Sequence, residues 1–208
     1  MTQNNKNTFI SAVIFDLGGV LIDWNPRHLY QKVFRTDEAI EYFLRNICTM
    51  EWNEEQDAGR KWADGIQSLS VRYPEYRSEI AAYFDRWEEM LKGQIDASVL
   101  LFERLLKNDV PVYTLTNWSS ETFPMALERY PFLSAFKGIV VSGHEGVRKP
   151  NPSIFQICTN RYNLVPAQTL FIDDNLRNVQ AARDFGFQAC HYLNPAQLND
   201  VLSPLFDN

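Results

Sequence analysis

Apolar residues in this chain fall into short dense runs, separated by longer stretches in which they recur every three or four positions. Five runs are rich in β-branched or aromatic residues: 12–15, 111–116, 138–142, 169–172 and 187–192. Runs without polar alternation suit strands covered on both faces, as in a parallel sheet. The stretches between them are helical in period. Residues 96–107 carry Val99, Phe102, Leu105 and Leu106 on one side, and residues 152–162 carry Ile154, Phe155, Cys158 and Tyr162 on one face. Asn151 precedes the second of these as an N-cap, and Pro152 supplies a first helical residue whose φ is already set. The helix expected at 175–185 stops at Gly186, a natural residue for a left-handed C-terminal cap. Strands alternating with helices predict an α/β fold, a three-layer Rossmann-like parallel sheet.

The interval from Trp24 to Lys92 breaks the rhythm. It shows no convincing strand but several amphipathic pieces, among them 37–47 (Ile40, Phe43, Leu44, Ile47) and 78–91 (Ile80, Phe84, Trp87, Leu91). This is too long for a simple crossover. The expected organisation is therefore a core of residues 1–23 and 93–208, with residues 24–92 inserted as a helical unit over the sheet. Trp24, Trp52, Trp62 and Trp87 are expected mostly to fill that unit's own interior. No internal repeat is present.

Composition narrows the function. At 208 residues, 45% hydrophobic and 22% charged, the chain is neither disordered nor fibrous. A net charge of −6 argues against a nucleic-acid partner. Cys48, Cys158 and Cys190 are odd in number and widely spaced, which argues against a disulfide scaffold or structural zinc and fits a cytoplasmic protein. Residues 1–11 lack the order of a signal peptide, and the longest apolar run, 12–22, is interrupted by Asp16 and too short to span a membrane. A monomer or homodimer without membrane attachment is expected.

Four clusters carry candidate chemistry. Asp16-Leu17-Gly18-Gly19 follows the first strand, where glycines allow a tight turn and close approach of N–H groups to an anion. It lacks the GxGxxG pattern of a dinucleotide site. Thr116 and Asn117 end the second strand. Lys149 precedes Pro150, which favours an extended loop, and stands just before the positive end of the helix opened by Pro152. Asp173 and Asp174 end an apolar strand as adjacent carboxylates that repel each other. Each alone has an ordinary explanation as a cap, a turn or a surface charge. Together they say more, because parallel strands open their C-terminal ends on one edge. There Asp16, Asp173 and Asp174 would form an acidic well that rejects a phosphate unless a hard cation such as Mg²⁺, with Lys149, reverses its sign.

In order and residue type these clusters resemble the four motifs of the haloacid dehalogenase superfamily of hydrolases, across the whole non-inserted chain. The insertion looks like that family's helical C1 cap, and the chain is most similar to its sugar-phosphate phosphatases, those acting on glucose-1-phosphate among them, and to the phosphatase domain of soluble epoxide hydrolase. The resemblance implies Asp16 as nucleophile and Mg²⁺ held by Asp16, the Gly18 carbonyl and Asp174, with Asp173 in support. It also implies that Leu17, Gly18, Thr116, Asn117 and Lys149 bind a small phosphorylated metabolite, Thr116 and Asn117 bonding the transferring group and Lys149 keeping Asp16 ionised.

One departure from the family stands out. Most of its phosphatases carry a second Asp two residues after the nucleophile as general acid, a contribution of about 10²–10⁴ in rate. Here that residue is Gly18, as in the related sugar phosphatases. Two alternatives follow: a metal-independent 2-haloacid dehalogenase, which the Asp173-Asp174 pair disfavours, or a phosphate-binding regulatory protein with little turnover. Arg27, Trp52, Gln56, Arg60 and Trp118 are expected near the cleft mouth. His28, His144 and His191 are too scattered for a transition-metal site.

Overall fold

The computed structural model describes residues 9–206. The expectations for residues 1–8 and 207–208, including most of the stretch read as lacking the order of a signal peptide, lie outside the described residues. The chain opens with β1 (Ala12–Phe15), every residue of which is buried. A tight turn leads to β2 (Ile22–Trp24), followed by α1 (Pro26–Tyr30), α2 (Asp37–Asn46), α3 (Met50–Asp57), α4 (Trp62–Arg72) and α5 (Arg77–Asp85). Then β3 (Leu91–Gln94) pairs antiparallel with β2, so the helical segment leaves and rejoins the core at one place. The rest alternates: α6 (Asp96–Lys107), β4 (Val112–Thr116), α7 (Phe123–Arg129), β5 (Gly138–Val141), α8 (Ser142–Glu145), α9 (Pro152–Tyr162), β6 (Thr169–Asp173), α10 (Leu176–Phe185), β7 (Gln188–His191) and α11 (Pro195–Leu202).

Five strands form a parallel sheet in the order β5-β4-β1-β6-β7. Alternate residues of β1 feed two cores. Val13 and Phe15 join Val99, Phe102 and Leu105 of α6 and Leu198 of α11, whereas Ile14 joins Phe155 and Cys158 of α9 and Ala182 of α10. Helices therefore cover both faces, and burying each large side chain of β1 contributes about 1.5–3 kcal/mol. The sheet order reverses at β1, the topological switch point where α/β sheets open a crevice beyond the strand ends. Asp16 is the first residue past that strand.

Local signals set most boundaries. Asn151 accepts from Ser153 N at 2.9 Å before α9, Asn175 caps α10, and Gly186 closes α10 with φ +112°. Three expectations need correction. The strands β2 and β3 flank a segment expected to lack strands. Both are short and their partners are remote in sequence, so no local period betrays them. The helix expected at 78–91 ends at Asp85, passes through a short 3₁₀ turn at Trp87–Met90 and becomes β3 at Leu91. Last, only two of the four tryptophans pack chiefly within the helical segment, and one of these, Trp62, also donates its Nε1 to Ser119 Oγ of the core at 2.9 Å. Trp52 and Trp62 pack edge-to-face at 5.5 Å, and Trp62 stacks on Tyr83 at 5.5 Å. Trp24 and Trp87 instead border a cavity shared with the sheet edge.

Candidate active site

Asp16 sits where the buried β1 meets the turn, and its Oδ1 accepts from the Leu17 N–H at 2.8 Å and from Lys149 Nζ at 3.1 Å. Neither bond involves Oδ2. Lys149 is fully buried, with Nζ also 2.7 Å from Asp173 Oδ2 and 2.7 Å from the Leu115 carbonyl. The ammonium thus lies between two carboxylates, inside the protein. The sequence placed it near the start of α9; the Coulomb attraction of Asp16 and Asp173 draws it inward. Burial by itself would lower its pKa, but these two carboxylates outweigh that and raise it.

Asp173 is equally buried and fully engaged. Besides Lys149, it accepts from the Asn175 N–H at 2.8 Å and from Asn178 Nδ2 at 3.1 Å to each oxygen. Asp174, the next residue, is the exposed member of the group. Carboxylate oxygens of Asp16, Asp173 and Asp174 lie within 4.8 Å of one another, the one such cluster among the described residues able to hold a metal ion. Three carboxylates face a single ammonium. Desolvation, then Asp173 and Asp174, push Asp16 up to about 7 against the pull of Lys149. Burial and Asp173 likewise raise Asp174. The set is all oxygen and short of positive charge, the donor chemistry of a hard divalent cation.

Gly19 explains how so much charge fits. Its φ is +73°, and a Cβ there would lie 2.3 Å from Asp174 Oδ2, so only glycine lets the turn pass beneath that carboxylate. Thr116, at the end of β4, is 1% exposed and its hydroxyl has no hydrogen-bond partner among the described residues. Such an orphan is costly, about 1–3 kcal/mol, unless a ligand answers it. Asn117 differs from the expectation that its side chain meets a phosphoryl group. Its amide instead clasps the Lys149 main chain, donating to the carbonyl at 3.0 Å and accepting from the N–H at 2.9 Å. Leu17 is likewise spent internally: its side chain is buried, and its N–H holds Asp16.

The acidic edge opens into a cavity of about 250 Å³. The far wall is α3, whose Met50, Asn53, Glu54 and Asp57 stand at i, i+3, i+4 and i+7 along one face. Reading the sequence by apolar period missed them, because this stripe is mostly polar; a polar stripe within an otherwise aromatic-rich insertion was the available signal. Glu54 fastens that wall to the core through Arg148 Nη2 at 2.6 Å and Arg177 Nη2 at 3.0 Å. Ser142 Oγ adds a bond to the Asp57 carbonyl at 2.6 Å. Trp24, Trp87 and Trp118 supply aromatic surface. Of the other residues expected at the mouth, Trp118 alone borders this cavity. Arg27 pairs with Glu41, Arg60 with Glu55 and Gln56, and Trp52 and Gln56 are buried within the helical segment.

The chain matches the haloacid dehalogenase-like hydrolase family over residues 10–186. A sesquiterpene phosphatase of Aspergillus oryzae is 30% identical over 184 residues, which is 88% of this chain and 90% of that protein. An (S)-2-haloacid dehalogenase of Pseudomonas is 27% identical over 197 residues, 87% of this chain and 82% of that one. A family enzyme of Bacteroides thetaiotaomicron, solved with magnesium and inorganic phosphate, shares the fold with a TM-score of 0.64 at 21% identity, covering 89% of this chain and 95% of its own.

Proposed function

The chain belongs to the haloacid dehalogenase-like hydrolase family, and from that premise we propose that it is a Mg²⁺-dependent phosphatase acting on a small phosphorylated metabolite, sugar phosphates foremost, through an aspartyl-phosphate on Asp16. The observation that carries this reading is the acidic trio with its single ammonium. A dehalogenase attacking carbon needs no metal, and for it the third carboxylate, Asp174, would be an uncompensated cost. The phosphatase name of the Aspergillus relative points the same way.

The cation would be held by Asp16, the Gly18 carbonyl and Asp174, with Asp173 bracing Lys149 behind them. Bound there, it would offset the charge of the trio and of the phosphoryl oxygens. Asp16 Oδ1 is fixed by Leu17 and Lys149, so Oδ2 attacks phosphorus as the leaving oxygen departs. Water then cleaves the phosphorus bond to Asp16. Lys149 pulls the nucleophile toward its ionised form against burial and the neighbouring carboxylates, and the Thr116 hydroxyl, unpaired among the described residues, donates to a phosphoryl oxygen. Asn117 acts one step back by holding the Lys149 main chain.

Sugar phosphates suit the walls. Trp24, Trp87 and Trp118 offer flat faces to a ring, while Trp118 Nε1 and Thr122 Oγ1, both buried and without partners among the described residues, offer bonds to hydroxyls. An isoprenoid tail would leave those two atoms unanswered, at about 1–3 kcal/mol each. The three free, buried thiols fit a cytoplasmic setting. Phosphate release from p-nitrophenyl phosphate, with and without Mg²⁺, in wild type and Asp16→Asn, tests the reading. Turnover should need the metal and vanish in the variant. Chloride release from a 2-haloacid without metal would replace this reading with the dehalogenase, and phosphate binding without turnover would favour a regulatory protein.

A further inference from the structure

The site has a nucleophile, but Gly18 leaves it without the proton donor usual at that place. Four carboxyl groups border the cavity: Asp16, Glu54, Asp57 and Asp174. Asp16 and Asp174 belong to the cation cluster, and Glu54 is held by two arginines. Asp23, close in sequence, is paired with His28 Nε2 at 3.0 Å and does not border the cavity. Only Asp57 remains, with no cationic group in ion-pair contact among the described residues. Its hydrogen bonds come from neutral donors, Asn53 Nδ2 at 3.1 Å and the Ser119 N–H.

Building on the phosphatase reading, we propose that Asp57 is the general acid and base of the reaction, serving the leaving-group oxygen from the α3 wall. In-line transfer sets the entering and leaving oxygens on opposite sides of phosphorus. Asp16 stands at the sheet edge and Asp57 on α3, two separate elements that line the same cavity, so the two carboxyl groups approach it from different directions. In the first step the Asp16–phosphorus bond forms and the bond to the leaving oxygen breaks. The Asp57 proton passes to that oxygen and leaves a carboxylate. In the second, water takes the vacated place, gives its proton to Asp57 and bonds phosphorus as the bond to Asp16 breaks. Inorganic phosphate departs, and both carboxyl groups are restored.

The surroundings of Asp57 suit a proton carrier near neutrality. Burial dominates and pushes it up to about 7; Glu54 raises it, while Arg148, Lys149 and the Ser119 N–H lower it. From α5, the Tyr83 phenol also faces it, itself raised well above its ordinary range by burial. At pH 7 both protonation states are therefore populated.

Asp57→Asn separates this role from a structural one when two substrates are compared. With a simple alkyl phosphate, whose leaving group must be protonated, kcat/KM should fall by about 10²–10⁴-fold. With p-nitrophenyl phosphate, whose leaving group departs as a stable anion, the fall in kcat/KM should be much smaller, while kcat still drops because the attack of water on the aspartyl-phosphate keeps its need for Asp57. Equal losses on both substrates, or none on the alkyl ester, overturn the proposal. Wild type gives a second reading that needs no variant. Across a series of aryl and alkyl phosphates, its dependence on leaving-group pKa should steepen as pH rises past 7, and a slope constant from pH 5 to pH 9 overturns the proposal. No turnover of p-nitrophenyl phosphate by wild type would fell the phosphatase reading itself, an outcome distinct from the others.

Discussion

Gly19→Ala isolates the contribution of the turn beneath Asp174. The added Cβ would lie 2.3 Å from Asp174 Oδ2 and 2.8 Å from its Cγ, closer than real contacts allow. Because Asp174 is exposed, its side chain can swing aside, so the clash costs little folding energy. What it removes is a carboxylate from the cation cluster. The backbone adds its own cost: at φ +73°, alanine pays about 1–2 kcal/mol for the left-handed region. Gly146→Ala is the matching control, since Gly146 has φ +68° with open space where its Cβ would go. Urea unfolding without metal should show similar losses, about 1–2 kcal/mol, in both variants. Titration calorimetry should separate them. Gly19→Ala should bind Mg²⁺ about 10–100-fold more weakly, the range typical when a ligand's support is disturbed. That corresponds to about 1.4–2.8 kcal/mol, whereas Gly146→Ala should match wild type. If both variants bind Mg²⁺ like wild type, Asp174 is not a ligand, and the assignment of the cation cluster is wrong.

Three further outcomes follow from the same geometry. Lys149→Met leaves Asp16 and Asp173 buried without their cation, so stability should drop by about 3–5 kcal/mol at pH 8 and by less at pH 5, where Asp16 can hold a proton; equal losses at both pH values would contradict this. Asp16 and Asp57 are each pushed up to about 7 in the folded chain, so above pH ~4 the folded state binds protons that the unfolded chain has released. Metal-free stability should therefore fall as pH rises from about 4 to about 7, and Mg²⁺ should flatten the Asp16 part of that fall; a melting temperature that climbs over this range without metal would refute the sign. Glu54→Gln frees α3 from Arg148 and Arg177. Arg177 is largely exposed but Glu54 and Arg148 are mostly buried, so stability should drop by about 1–3 kcal/mol, and KM for phosphorylated substrates should rise; an unchanged KM would show that this contact does not set the cavity wall.

Local chemistry along the chain determined a great deal. Apolar runs without alternation located the five strands of the parallel sheet, and Asn151 and Gly186 marked helix ends because a cap acts over one turn. Asp16, Thr116, Lys149 and Asp173–Asp174 could be assigned to one edge because parallel strands all point the same way. Partners and burial were another matter. That Lys149 is buried between two carboxylates, that Asn117 and Leu17 serve the site's own backbone and nucleophile, and that β2 meets β3 depend on groups far apart in the chain. The α3 stripe is the sharpest case. Asn53, Glu54 and Asp57 read as an ordinary polar helix face until packing turns that face onto the acidic edge of the sheet. Periodicity reports which side of an element is apolar; only the assembled fold decides what each polar side confronts, and a carboxyl group's proton affinity is set by what it confronts.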